Sequence, residues 1–286
     1  MSRLIIVPII IGTLWGSSVY YDLFFDNWYI DDVTQTELMP SLLTLFSNRI
    51  YGDLFTDLTA DGGIVFGKED LKACGLFLDS SPLLGFGRIF SQLRFGLLYG
   101  PKLRSGHHLF GIGIGKDGFN RDIDFAFRLK LPDEGYLIES DARLRYRRRQ
   151  TIIIPRISFG LRNDAFDYWW INCGIGLRKS VYEEGFLYTA IEYEPWFGDI
   201  TTDHLIFQLG FDLPVLRHLN FLTAVKKSID YRDEWIGQPV ELNLGLKFTY
   251  DELRFSLGIR KGLFTSDIFE TFPFLNLGIE YDFSNL

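Results

Sequence analysis

Four histidines are the first candidates for a catalytic base. His204 stands beside Asp203, His107 and His108 are adjacent, and His218 follows Arg217. Hydrolysis needs a base held against a hydroxyl, a thiol or an activated water, with a further group orienting the base. No spacing in this chain assembles Ser, His and an acid in that way, so the sequence reads as a non-enzyme. Cys74 and Cys173 fall in no Cys-x-x-Cys or Cys/His pattern. They read as two unpaired thiols, with no metal site and no cofactor expected. The glycine-rich stretch GIGIGKDG, residues 111–118, has the composition of a phosphate-binding loop. Ile112 and Ile114 alternate with its glycines, however, and that alternation belongs to a strand.

The remaining chemistry lies in the charges. A formal charge of -8 excludes nucleic acid as the main partner, because phosphate binding needs a basic field. The densest feature is the ladder Arg143, Arg145 and Arg147, extended by Arg148 and Arg149. Such a ladder can contact an anion or lipid phosphate, or it can pair with carboxylates such as Asp122, Asp124, Glu139 and Asp141.

These charges are not scattered. In PVELNLGLKFTY, residues 239–250, Val240, Leu242, Leu244, Leu246 and Phe248 alternate with Glu241, Asn243, Gly245, Lys247 and Thr249. Successive strand side chains point to opposite faces, so this segment separates oil from water. The pattern recurs at 122–131, 153–162, 169–178, 204–213 and 253–260. Twelve such segments follow residue 88, separated by short turn-forming stretches that join neighbours as hairpins. Each is close to the length a tilted transmembrane strand requires. The 27 Phe and 14 Tyr are distributed along the strands, as expected of residues coating a surface. Up-and-down order places Trp169, Trp196, Tyr231 and Trp235 near one rim and Tyr250, Tyr281 and Phe283 near the other. These are candidate aromatic girdles at two membrane interfaces.

If the apolar set faces lipid, the charged set lines the lumen. The candidates are Arg128, Lys130, Arg143, Arg145, Arg147, Arg156, Arg162 and Arg178 on the first half, and Glu192, Glu194, Asp212, Asp230, Glu241 and Glu280 on the second. Opposite charges across a lumen give a transverse field resembling that of porin constrictions. Alternatively, the charges pair and hold a narrow lumen shut.

The N-terminus reads as a secretory signal peptide over residues 1–18, with Arg3, an apolar run from Leu4 to Trp15, and Gly16, Ser17 and Ser18 as a small-residue cleavage site. Residues 19–85 form an N-terminal segment in which Leu42, Leu43, Phe46, Ile50, Leu54 and Leu58 recur near helical spacing after Pro40. That predicts one or two short helices over 34–61, folded into the lumen as a plug or lying beneath the barrel. Residues 71–78 and 19–30 are candidates for two further strands, and residues 86–286 form the barrel.

The alternation, the girdles and the final strand Leu275–Phe283 resemble the outer-membrane β-barrel proteins of Gram-negative bacteria. That resemblance implies residence in the cell outer membrane, contact with its lipid and recognition by the barrel-assembly machinery, although Ser284, Asn285 and Leu286 extend past the terminal aromatic residue. A plug before a barrel also resembles the long-chain fatty-acid transporter family, whose fold is a 14-stranded barrel with an N-terminal hatch. That family carries an Asn-Pro-Ala motif where this chain has Asp61, Gly62 and Gly63. The expectation is an all-β, antiparallel, up-and-down transmembrane barrel of 12 to 14 strands with a short helical N-terminal segment. It would act as a channel or transporter for a small or hydrophobic solute. The alternatives are a closed scaffold barrel acting through partners and, third, an outer-membrane enzyme.

Overall fold

A computed structural model describes residues 39–286 apart from 56–59, 69–70, 79–81, 102–107, 133, 164–166, 182–184, 232–234, 238–239, 264–273 and 284–286. The expected signal peptide and the strand considered over 19–30 lie outside the described residues.

The wall begins with β1 (Arg49–Phe55), β2 (Ala60–Lys68), β3 (Lys72–Leu78), β4 (Pro82–Phe90), β5 (Leu93–Gly100) and β6 (His108–Lys116). It continues with β7 (Arg121–Leu131), β8 (Tyr136–Arg148), β9 (Thr151–Asn163), β10 (Asp167–Val181), β11 (Gly185–Gly198) and β12 (Thr202–Leu216). The last strands are β13 (Leu219–Tyr231), β14 (Trp235–Gly237), β15 (Val240–Tyr250), β16 (Leu253–Leu263) and β17 (Phe274–Asp282). β13 pairs with β14 and then with β15, so these two are halves of one stave and the wall has sixteen. β1 pairs antiparallel with β17, from Arg49 opposite Asp282 to Phe55 opposite Asn276, and closes the barrel. Closure leaves no unpaired edge for hydrocarbon to meet.

The count corrects the expected 12 to 14. β5 to β17 supply the twelve alternating staves, and β1 to β4 add four. Residues 49–55, expected to be helical, are wall strand; among the described residues only Pro40–Phe46 is helical, as a 3-10 helix. The stretch read as a possible hatch, 47–63, contributes to β1 and β2, and sixteen staves depart from the fourteen of the fatty-acid transporter family.

One rim carries short connections, four of them two-residue turns at 91–92, 149–150, 217–218 and 251–252 and none longer than the four residues between β6 and β7. The first residues of three of them, Ser91, Arg149 and Asp251, adopt left-handed φ of 59°, 55° and 50°. Tight hairpins need that conformation, and Asp accepts it more readily than Ser or Arg. The opposite rim carries the longer connections, including 101–107 and 264–273.

Along the strands exposure alternates, as in β6, where Phe110, Ile112 and Ile114 are exposed and Leu109, Gly111, Gly113 and Gly115 are buried. Among the described residues the outward face is dominated by Leu, Ile, Phe and Val, most of them partly to highly exposed. A soluble monomer rarely shows more than a few hundred Å² of contiguous apolar surface, so a belt around the entire wall belongs in lipid.

Candidate functional site

The lumen carries the chemistry, and its contents differ from side to side. The 3-10 helix Pro40–Phe46 lies inside, against β4, β5 and β6, with Leu42 and Leu43 fully buried. Glycines make that possible. A Cβ on Gly96 would sit 1.9 Å from the Pro40 carbonyl oxygen, and one on Gly113 would sit 2.5 Å from the Ser41 nitrogen. Only a bare wall lets backbone approach backbone this closely. Ser41 Oγ lies 3.5 Å from Asp124 Oδ1, tying the segment to the ion-pair cluster beside it.

That cluster is built by register. β7 pairs with β8 so that Asp122 faces Arg145 and Asp124 faces Arg143, all on the inner face. Asp124 accepts from Arg94 Nη2 at 2.8 Å, from Arg143 Nη2 at 3.1 Å and from Arg145 Nη2 at 3.4 Å. Asp122 pairs with Arg145 and Arg147. One turn along, Arg128 meets Asp141 at 2.8 Å and Glu139 at 3.6 Å, and Lys130 meets Glu139 at 3.3 Å. The side chains of Arg94, Asp124 and Arg143 are fully buried. Buried charges persist when each is paired, because leaving one alone costs several kcal/mol. The arginine ladder therefore meets the carboxylates on its own wall, Asp122 and Asp124, while Arg148 and Arg149 lie exposed at the turn rim. At that rim burial raises the pKa of Asp117 above its ordinary value, with Arg94 at 3.0 Å opposing the shift.

The other sequence-expected lumen residues also face inward but form separate, smaller groups. Arg156 Nη2 lies 3.7 Å from Glu192. Asn172 Nδ2 donates to Glu192 at 3.1 Å and to Glu194 at 2.7 Å. Arg178 lies over the Phe186 ring. Asp212 accepts from Asn220 and Lys247, and Arg49 and Arg254 both reach Glu280. Glu241 lies opposite Lys226 in the β13–β15 ladder. Arg162 Nη1 donates to Tyr168 Oη at 3.3 Å. His204 Nδ1 is 2.7 Å from Asp230 Oδ1, so its partner is Asp230 across the strand pair rather than the neighbouring Asp203. Arg88 shares the outward parity of Leu84 and Phe86 and lies over the Phe90 ring.

Trp169 faces lipid and stacks on Phe197 at 4.2 Å, while Tyr231, Tyr250 and Tyr281 share the outward face and Phe283 packs on Phe66. Trp235 pairs with Tyr231 in the ladder. Trp196 departs from the girdle. It shares parity with Glu192 and Glu194, so it turns into the lumen, where its indole N–H donates to Glu194 at 2.7 Å. There it stacks with Tyr168 at 5.0 Å and Trp170 at 5.7 Å. Sequence reasoning assigned it by height along the strand and overlooked the parity that sets its face. Among the described residues no group of three or more His, Cys, Asp or Glu has metal-holding geometry. Both thiols, Cys74 and Cys173, are free and lie on the outward face.

No family model and no curated protein matches the chain. Among solved structures, it is similar to a bacterial polysaccharide outer membrane secretin at 10% identity and TM-score 0.60, covering 82% of this chain and 97% of that one. OmpT, an outer membrane protein of Vibrio cholerae, matches at 9% identity and TM-score 0.54, covering 82% and 95%. Its loop L8 deletion mutant matches at 9% and 0.56, covering 82% and 96%. At these identities the likeness speaks to fold. With the lipid-facing belt and the closed sixteen-stave wall, it makes this chain an outer-membrane-type β-barrel.

Proposed function

We propose that this protein is a passive outer-membrane channel for small polar solutes, narrowed from one side by its own N-terminal segment. The observation that carries the reading is the ratio of wall to filling. Sixteen strands spaced about 4.8 Å apart and tilted about 40° enclose a ring about 32 Å across, backbone to backbone. Luminal side chains take up about 6 Å on each side, and a helical segment with its side chains about 10 Å. On ring geometry that leaves about 10 Å, the width of a hydrated small molecule, to be shared between solvent and the inward side chains of the far wall, of which Tyr188, Asp212, Leu222 and Asn243 are buried. The inward-facing charges are mostly basic on the β5–β9 wall and mostly acidic on the β11–β17 wall. A crossing solute would therefore meet a transverse field in a low-dielectric tube. Short periplasmic turns are the rule in this fold, so the two-residue-turn rim faces the periplasm in this reading and the Trp170 side faces outward. The final strand would be what the assembly machinery recognises.

A closed scaffold barrel is favoured by the burial of the inner face, in the ion-paired cluster around Asp124 on one wall and at Tyr188, Asp212, Leu222 and Asn243 on the other. The two readings separate in planar bilayers. Refolded protein that gives ohmic, long-lived openings supports a channel, and repeated absence of openings in protein with heat-modifiable gel migration supports the scaffold.

A further inference from the structure

We propose that the luminal cluster of Tyr168, Trp170 and Trp196, with Glu194, Asn172 and His204 around it, is a saccharide-binding subsite near the rim opposite the tight turns. The inference rests on the reading of an open lumen and adds the class of solute.

The rings are in the wrong place for a membrane protein unless they have work there. Aromatic residues in a barrel gain most from the lipid interface, and Trp169 and Phe197, the immediate neighbours of Trp170 and Trp196, take that position. Tyr168, Trp170 and Trp196 occupy the alternate positions and converge inside, with Tyr168 and Trp196 only 8° from parallel. Tyr168 is buried, while both indoles remain half-buried and supply the face that meets the lumen.

The cluster is also held rigid. A Cβ on Gly160 would lie 2.0 Å from the Trp170 ring, so that indole lies flat across a bare stretch of β9. The Trp196 N–H is fixed on Glu194, whose other oxygen accepts from Asn172 at 2.7 Å. The His204 ring meets Trp196 edge-on and is anchored to Asp230. Rings locked in this way lose little entropy when a ligand stacks on them.

The surroundings select the ligand. A sugar ring offers an apolar C–H face and a belt of hydroxyls that both donate and accept. The cluster offers aromatic faces bordered by acceptors on Glu194 and Asp230, by the Nε2 edge of His204, whose Nδ1 faces Asp230, and by the Arg162 guanidinium as donor. An organic cation would also stack on the indoles, but the guanidinium of Arg162 lies 5.9 Å from the Tyr168 ring centre and opposes a second cation there.

The test is isothermal calorimetry on the refolded full chain in detergent, titrated with maltohexaose, with cellohexaose and, as the rival probe, with phenyltrimethylammonium. Conductance of the same preparations is recorded in planar bilayers. We expect at least one hexasaccharide to bind and to interrupt the current. Trp170→Ala should weaken that binding about tenfold, the scale of one lost stacking contact, with heat-modifiable migration retained. If Trp170→Ala fails to fold, Trp196→Phe, which keeps a ring but loses the N–H to Glu194, must weaken binding severalfold. Absence of heat with both sugars on a folded barrel, unchanged affinity in the folded variants, or binding of the cation alone overturns the proposal. Sugar binding without any conductance leaves the subsite standing and removes the channel reading instead.

Discussion

Replacing Gly96 with Ala should expel the 3-10 segment from the wall while leaving the barrel intact. The new Cβ would lie 1.9 Å from the Pro40 carbonyl oxygen and 2.1 Å from its carbon. Both are backbone atoms, so no rotamer change relieves the clash. The segment is also poorly placed to resist. Burying Met39, Leu42, Leu43 and Phe46 contributes about 2 kcal/mol each at most. Ordering seven residues costs about 1–2 kcal/mol each. The two nearly cancel, so a clash of a few kcal/mol decides the outcome. In the strand itself Ala is at least as well tolerated as Gly.

The glycines provide a graded series. Gly113→Ala brings a Cβ 2.5 Å from the Ser41 nitrogen and should behave like Gly96→Ala. Gly111→Ala finds its nearest neighbour, Leu98 Cβ, at 3.3 Å and should be tolerated. An inner bore about 20 Å wide holding a segment about 10 Å wide loses roughly a quarter of its area to it. Conductance should therefore rise by roughly a third in Gly96→Ala and Gly113→Ala, and residues 39–48 should become accessible to added protease. The reasoning is refuted if Gly96→Ala and Gly111→Ala behave alike in both assays.

Asp124→Asn should destabilise the barrel by about 3–5 kcal/mol in urea titrations, because Arg94, Arg143 and Arg145 all converge on that carboxylate. Where it still folds, reversal potentials should shift toward anions. On the outward face, Ile175→Arg should cost about 2–4 kcal/mol in lipid, the penalty for a charge near the bilayer midplane, whereas a charge at inward-facing Gly174 should cost far less. Asp117 tests the sign of a pKa shift. Its folded pKa is raised, so at neutral pH the ionised group works against folding, and Asp117→Asn should slightly stabilise the barrel there. The difference should vanish below about pH 3, where the carboxyl is protonated in both states. Equal urea midpoints at both pH values would contradict this.

Alternation was legible wherever the inner face meets water or ion pairs, and β5 to β17 follow it. It weakens at β1 to β4, of which only β3 reads as a candidate strand, over 71–78, and the reason is physical. Their inner face packs against the 3-10 segment, so Val65, Phe77 and Leu83 are buried inward while Ile64, Phe66, Leu76 and Leu84 face outward. With both faces apolar, the period of two disappears. Ile50 and Leu54 continued the helical spacing of Leu42, Leu43 and Phe46 by coincidence, and this concealed β1. Which carboxylates meet the arginine ladder was readable only as a set, because the choice of Asp122 and Asp124 depends on the β7–β8 register. The luminal aromatic cluster was concealed because three adjacent aromatics, Tyr168 to Trp170, suggest a girdle until parity divides them between two faces.

The chain provides its own probes for the bilayer boundary. Cys74 on β3 and Cys173 on β10 both point outward. After labelling in detergent with a small environment-sensitive fluorophore and transfer to vesicles, both sites should be quenched by lipids brominated along the acyl chain and ignore aqueous iodide. Unlabelled protein in intact vesicles should resist a membrane-impermeant maleimide. Quenching by iodide at both sites, or a polypeptide that stays monomeric in buffer without detergent, would mean that the apolar face does not lie in lipid.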